Sequence, residues 1–211
     1  MEMKRRSLGR IAAAVLATGM LAGLMPLAHA QETPDAMIKR LSDDVLGAIR
    51  KDPAIGSDIN KVIALVDTRI MPNVNFQRMT ASAVGPAWRQ ATPEQRQRLQ
   101  QEFKLLLVRT YSGAISQISD EQVSLKPQRA APTDTDVVVR TEIRGRGDPI
   151  QLDYRLEKTD AGWKIYNLNV LGVWLVETYR SQFAQEINAK GVDGLIASLA
   201  ARNKTNAATK G

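Results

Sequence analysis

The spacing of apolar residues changes near residue 122, and this change constrains the fold more than any other feature of the sequence. Before that point, apolar residues recur every three or four positions, as they do in amphipathic helices. After it, they alternate with polar residues, as they do in strands that bury one face. Helical spacing returns after about residue 174. This order predicts an α+β fold in which helices cover one face of an antiparallel sheet.

Four helices are predicted in the first half of the chain. Capping residues indicate that the first three begin near residues 34, 58 and 75. The fourth begins at Thr92, Pro93 and Gln95, which form a capping box with proline at the first helical position. Its apolar stripe lies within residues 93–118 and consists of Leu99, Phe103, Leu106, Leu107, Tyr111, Ala114, Ile115 and Ile118.

Alternation in the second half predicts strands at 123–125, 136–144, 150–157 and 163–170. Turns at 145–148 and 160–162 join the last three strands. We therefore predict a curved antiparallel sheet of four strands, with one apolar face and one polar face. Two helices follow, at about 174–189 and 193–202, with a break at Gly191, and residues 203–211 are predicted to fray.

Residues 1–30 have the order of a secretory signal peptide. A basic start (Lys4, Arg5, Arg6) precedes an apolar run at 11–24, and Ala28-His29-Ala30 fits the cleavage pattern, so we expect cleavage before residue 31. The alternative is an uncleaved membrane anchor, but the apolar run is shorter than the roughly 20 residues that span a bilayer. The expected organisation is a signal peptide at 1–30, one α+β domain at 31–202 and a tail at 203–211.

The composition of the remaining chain excludes several kinds of chemistry. The sequence has no cysteine, and its single histidine is His29. The exported chain would therefore lack Ser-His-Asp and Cys-His catalytic sites, His or Cys metal sites, and disulfides. Loss of residues 1–30 lowers the formal net charge from +7 to +4. Because the basic residues form no stripe interleaved with aromatics, we expect no binding to nucleic acid.

The strand residues leave three functions open. The carboxylates Asp136, Glu142, Asp153 and Glu157 fall on the polar face, where we expect them to form ion pairs with arginines. Tyr154 is the one polar-tipped residue on the apolar face. The apolar faces of sheet and helices either enclose a cavity for an apolar ligand or close on one another, as in an adaptor protein. The third alternative is an exported isomerase or hydrolase that uses Tyr154 with a buried carboxylate.

Several motifs in a fixed order carry a family resemblance. The first half contains F-Q-R-M from Phe76, then V-G-P-A-W-R-Q-A-T-P-E-Q-R and F-K-L-L-L-V-R-T-Y up to Tyr111. The second half contains W-K-I-Y-N-L-N-V-L-G-V-W-L-V-E-T-Y-R-S-Q-F from Trp163, then K-G-V-D-G-L-I from Lys190. Together, behind a signal peptide, these motifs resemble the MlaC family, also called the toluene-tolerance family, of periplasmic phospholipid-binding proteins.

The resemblance implies a sheet related to the nuclear-transport-factor-2-like fold, with a deep apolar pocket for phospholipid tails. It also implies shuttling of lipid between an outer-membrane lipoprotein complex and an inner-membrane transporter complex, which maintains outer-membrane lipid asymmetry. We expect a periplasmic monomer without catalytic activity or metal, whose phospholipid is cargo rather than cofactor. The residues expected to contact the tails are Phe76, Phe103, Leu107, Tyr111, Val137, Val139, Ile150, Leu152, Tyr154, Ile165, Val170, Val173 and Trp174.

Overall fold

The four helices predicted in the first half begin where the capping residues indicate, and one further short helix, Ala87–Gln90, was not predicted. A computed structural model describes residues 32–115, 121–127, 131, 133–145 and 147–208, all within the unit Gln31–Gly211. The Thr33 hydroxyl accepts a hydrogen bond from the Ala36 amide ahead of Pro34. Thr92 and Gln95 exchange the two hydrogen bonds of the capping box, at 3.0 and 3.2 Å. The helices are α1 (Pro34–Lys51), α2 (Ile59–Leu65), α3 (Phe76–Val84), α4 (Ala87–Gln90), α5 (Pro93–Ile115) and α6 (Leu175–Ala208).

The sheet has five antiparallel strands rather than the predicted four. They lie in chain order as β1 (Gln122–Leu125), β2 (Asp136–Arg144), β3 (Ile150–Thr159), β4 (Gly162–Val170) and β5 (Val173–Trp174). The last strand has two residues, too few to show alternation, and it folds back on β4 through a turn at Leu171 and Gly172. Both turn residues have positive φ, 51° and 88°. The relation to the nuclear-transport-factor-2-like fold stays a prediction.

A bulge in β4 changes which of its residues share a face. Leu156 on β3 pairs with Ile165, but Tyr154 pairs with Leu168, so one extra residue is inserted in β4. Ile165 and Leu168 therefore point to the same side. We call this side the inner face, and its members are Val123, Leu125, Val137, Val139, Thr141, Ile143, Ile150, Leu152, Tyr154, Leu156, Ile165, Leu168, Val170 and Val173.

Helix α3 is attached to the free edge of β4. The Asn75 amide donates to the Ile165 carbonyl at 2.8 Å, and Val74 forms a parallel bridge with the same residue. Helices α3, α5 and α6 then share a core centred on Phe103, whose ring lies 5.0 and 5.2 Å from those of Tyr179 and Phe183. Aromatic contacts at these distances stabilise a core beyond the area they bury.

The end of α6 corrects the prediction of a frayed tail for residues 203–208, and residues 209–211 lie outside the described residues. The helix continues to Ala208, and Asn203 is only 3% exposed. Its side-chain amide donates to the Glu102 carbonyl at 3.0 Å and to the Glu102 carboxylate at 2.8 Å. This contact joins residues about a hundred positions apart in the chain, so the composition of the tail alone could not predict it. The break predicted at Gly191 is confirmed, because that residue has φ 70° and ψ −175° within α6.

We predict that Gly191→Ala destabilises the protein by about 1–3 kcal/mol, because that combination of φ and ψ is open almost only to glycine. The matched control is Gly47→Ala in α1, where an added Cβ meets nothing within 4 Å. That change should stabilise the protein by about 0.5–1 kcal/mol, as alanine does in a helix. Urea denaturation measures both. Equal effects at the two positions would contradict the assigned backbone strain.

Candidate functional site

The side chains of the inner face are fully buried at only one end of the sheet. At one end, Met37, Ile38 and Leu41 of α1 pack on the sheet and form one buried cluster with it. We call this end the closed half, and each of its residues is at most 6% exposed: Val137, Val139, Leu156 and Ile165. The burial of these side chains is what the sequence periodicity predicts for a sheet under a helix.

The other end of the inner face keeps accessible apolar side chains. We call it the open half: Leu125, Ile143, Ile150, Leu152, Val170 and Val173. Leu125, Ile150 and Val173 are 37%, 38% and 51% exposed, and Leu171 in the adjoining turn is 63% exposed. These are the large exposed apolar residues of the described chain, and all lie at one end of the sheet. Such clustering marks a binding surface more often than scattered exposure does.

Helix α5 presents a second incompletely buried apolar surface. It packs mainly against α2, α3 and α6 rather than against the sheet. Leu107 and Tyr111 of α5 are half-buried and border the same core cluster as Leu168 and Val170 of β4. The apolar side chains of α5 and of the open half therefore do not fully bury one another. A ligand with long apolar chains suits such a space.

Tyr154 lies at the boundary between the two halves. Its ring is half-buried and packs against the cluster under α1. Burial raises the pKa of its hydroxyl to about 12, although a hydrogen bond with Thr141 lowers that pKa in part. Burial also raises the pKa of Tyr111, with a smaller effect from Tyr179.

The outer face of the sheet carries the charges, as predicted. Arg140 and Asp153 pair across β2 and β3 at 3.9 Å. Glu142 binds Lys126 at 2.5 Å and also Arg144, and these hydrogen bonds lower its pKa despite burial. Among the residues that the structure describes, Glu142 is the buried carboxylate, and it lies on the face opposite Tyr154.

The other two predicted carboxylates pair with a helix rather than with a strand. Asp136 and Glu157 both contact Arg78 of α3, which also lies 3.5 Å from the centre of the Tyr166 ring. Within the described ranges, no three His, Cys, Asp or Glu side chains are grouped closely enough to hold a metal ion. No helix in those ranges is long and apolar enough to cross a membrane.

Trp174, which was predicted to contact lipid, lies on the outer face and not with the predicted contacts of the inner face. It pairs with Asn169, whereas its neighbour Val173 pairs with Val170 on the inner face. The Arg155 guanidinium lies 4.2 Å from the centre of the Trp174 ring, a cation–π contact. Adjacent strand residues point to opposite faces, so Val173 and Trp174 cannot both lie on the inner face.

Asn167 joins the same outer-face contacts to the start of α6. Its side-chain oxygen accepts from the amides of Leu168 and Val176, and its amide donates to Glu177 at 2.8 Å. Burial alone would raise the pKa of Glu177, but hydrogen bonds from Asn167 and Arg155 outweigh it and lower that pKa. An amide suits this position because it both donates and accepts.

The other residues that were predicted to contact lipid are either accessible or fully packed. Leu107, Tyr111, Ile150, Leu152, Tyr154, Val170 and Val173 keep surface around the open half. Phe76 and Phe103 pack in the aromatic core, and three others lie under α1: Val137, Val139 and Ile165. In this structure these five offer a ligand little or no surface.

Three residues at the site were missed by the sequence prediction. Leu125 and Ile143 follow the period-two pattern, which was a sufficient signal to include them. Leu168 was missed because simple alternation from Ile165 ignores the bulge, which has no sequence signature here.

The comparison with known protein families decides the identity. The sequence model of the MlaC protein family matches residues 39–201. The chain belongs to the MlaC family. It is 26% identical over 176 residues to toluene tolerance protein ttg2D of Pseudomonas putida, with 82% of each chain covered. It is 22% identical over 177 residues to the intermembrane phospholipid transport system binding protein MlaC of Haemophilus influenzae, covering 82% of this chain and 83% of the relative.

One solved structure that is similar to this MlaC-family chain is that of the phospholipid-binding protein from Ralstonia solanacearum in complex with a phospholipid. The two sequences are 48% identical, and the structures match with a TM-score of 0.80. The match covers 82% of this chain and 97% of the Ralstonia chain.

Titration of Tyr154 should make stability depend on pH in the alkaline range. Its folded pKa of about 12 exceeds the ordinary 10.0, so above pH 10 the unfolded chain loses the proton first. The free energy of unfolding should therefore fall between pH 10 and pH 12. Tyr154→Phe should lessen that fall by about 1–3 kcal/mol. Urea denaturation across this range measures it, and a variant with an unchanged slope would contradict the desolvation of this hydroxyl.

Paired tryptophan substitutions on β3 test whether the two halves differ in packing. Leu156→Trp in the closed half should destabilise the protein by about 1–3 kcal/mol, because the site is full. Leu152→Trp in the open half should cost less than about 1 kcal/mol, since the larger ring enters accessible space. Denaturation of both variants measures the difference. A larger loss for Leu152→Trp would mean that the open half is already filled.

Proposed function

We propose that this protein is a periplasmic phospholipid carrier that holds acyl tails between the open half of the sheet and α5. The observation that carries the proposal is the cluster of accessible apolar side chains at one end of the inner face, including Ile150 and Val173. Support comes from membership of the MlaC family and from the similar Ralstonia protein, which is a phospholipid complex. We propose phospholipid as cargo, with no catalytic step and no cofactor.

The energetics of tail transfer favour a carrier that performs no chemistry. Removing two acyl chains of about 30 methylenes from water is worth on the order of 20 kcal/mol, at about 0.8 kcal/mol per methylene. A bilayer gives the same chains nearly the same burial, so extraction by an apolar site is close to balanced. The carrier therefore has only to keep the tails from water during transit. Release at each end requires a partner that loosens the site.

The partners and the compartment belong to the same proposal. We infer that the protein moves lipid, as a monomer, between an outer-membrane lipoprotein complex and an inner-membrane transporter complex, and so maintains outer-membrane lipid asymmetry. The name of the Haemophilus influenzae relative, an intermembrane phospholipid transport system binding protein, supports this role. The signal-peptide pattern of residues 1–30 supports export to the periplasm.

The alternative of an enzyme centred on Tyr154 finds little support. A hydroxyl with a pKa of about 12 stays protonated at neutral pH, so it is a poor general base. The buried carboxylate of the described chain, Glu142, is ion-paired on the other face.

Solvent extraction of the purified protein followed by lipid mass spectrometry tests the proposal. We expect a diacyl phospholipid in near-stoichiometric amount. A small polar ligand would support an enzyme instead, and a protein that binds no lipid even after incubation with vesicles would overturn the carrier proposal.

We predict that Leu152→Asp abolishes co-purifying lipid, because it places a charge among the apolar side chains of the open half. The matched control is Val138→Asp on β2, which also replaces an apolar strand residue with aspartate. Position 138 lies on the outer face, opposite Arg155. That variant should keep its lipid. Both variants are first checked for cooperative unfolding. A folded Leu152→Asp protein with normal lipid content would contradict this placement of the tails.

A further inference from the structure

Burial along β3 rises abruptly from one end of the inner face to the other. Ile150 is 38% exposed at the open end, Leu152 and Tyr154 are half-buried, and Leu156 is 0% exposed. These four side chains lie in a row on the same face of β3. Successive members of the row are about 7 Å apart along the strand. The change from accessible to fully packed therefore falls at Tyr154.

The neighbour of Tyr154 on β4 shows the same boundary, whereas burial on β2 continues one row further, to Thr141. Val139, opposite Tyr154 on β2, is 1% exposed and belongs to the cluster under α1. Leu168, opposite it on β4, is half-buried and borders the cluster of α3, α5 and α6. Behind Tyr154, Leu156 and its pairing partners leave no accessible surface of note. The ring thus stands with packed protein on one side and accessible space on the other.

A buried residue of β2 lies beside Tyr154 on the side of the open half. Thr141 is 1% exposed and lies diagonally across from Tyr154. The Thr141 side chain is itself fixed, with its Oγ1 donating to the Leu152 carbonyl at 3.0 Å.

We propose that the ring of Tyr154 forms the closed end of the tail-binding space and thereby selects phospholipids by acyl-chain length. The inference rests on the proposed carrier function and extends it to the choice of cargo. From Ile150 to Tyr154 the inner face offers roughly 13 Å of strand. A methylene for which the ring leaves no room stays in water, whereas a bilayer would bury it. Each such methylene lowers relative binding by about fourfold, from the transfer free energy of one methylene.

Competition between lipids of different tail length tests the proposal. The full protein is incubated with vesicles that contain a graded series of diacyl phosphatidylglycerols differing only in tail length, and bound lipid is measured by mass spectrometry. Tyr154→Ala should enrich the longer chains by about fourfold for each added methylene that the cavity admits. Tyr154→Trp should shift the bound lipid toward shorter chains, and Tyr154→Phe should leave the distribution unchanged because it keeps the ring.

Leu156→Ala is the matched control, because it removes a side chain one row behind the ring. It should lower stability and leave the chain-length distribution as in the wild type. If Tyr154→Ala and Tyr154→Trp bind lipid with the wild-type distribution, the length selection by Tyr154 is wrong while the carrier function stands. If Leu156→Ala lengthens the bound chains as much as Tyr154→Ala, the space ends deeper than Tyr154 and the proposal also fails. Absence of lipid from the wild type would instead overturn the carrier function.

Discussion

The partial cover of the sheet by α1 is the constraint on which the rest of the structure depends. Met37, Ile38 and Leu41 close one half of the inner face and supply a well-packed core there. A helix that covered the whole face would leave an interior of ordinary density with no room for a ligand. Because this buried cluster does not extend to Ile150 and Leu152, the same sheet combines a stabilising core with an apolar surface available for binding.

The helices opposite the open half are fixed by contacts that lie away from it. Phe103 packs on Tyr179 and Phe183, which joins α5 to α6. Asn203 ties the end of α6 to Glu102 of α5, and Asn167 ties its start to β4. These contacts hold Leu107 and Tyr111 in place without closing them on the sheet. Walls fixed in this way reduce the ordering that a ligand would otherwise impose on binding.

Much of the fold and part of the site were predictable from local sequence. Proline and the capping box fixed the starts of α1 and α5, because capping involves residues only three apart. Alternation placed Ile150, Leu152 and Tyr154 on one apolar face of β3, since neighbouring strand residues must point to opposite sides. The selection of lipids by acyl-chain length, the binding of membrane complexes and the contacts with lipid are proposals.

The sequence by itself determined the order of helices and strands, the polar and apolar faces of the strands, and the absence of thiol chemistry. Only the tertiary structure decided that β5 exists, that a bulge brings Leu168 to the inner face, that Trp174 stacks on Arg155 outside, and that the cluster under α1 buries only one end of the inner face. Periodicity reports each residue's relation to its neighbours in the chain. Strand pairing and helix cover depend on contacts between distant segments, which leave no periodic trace.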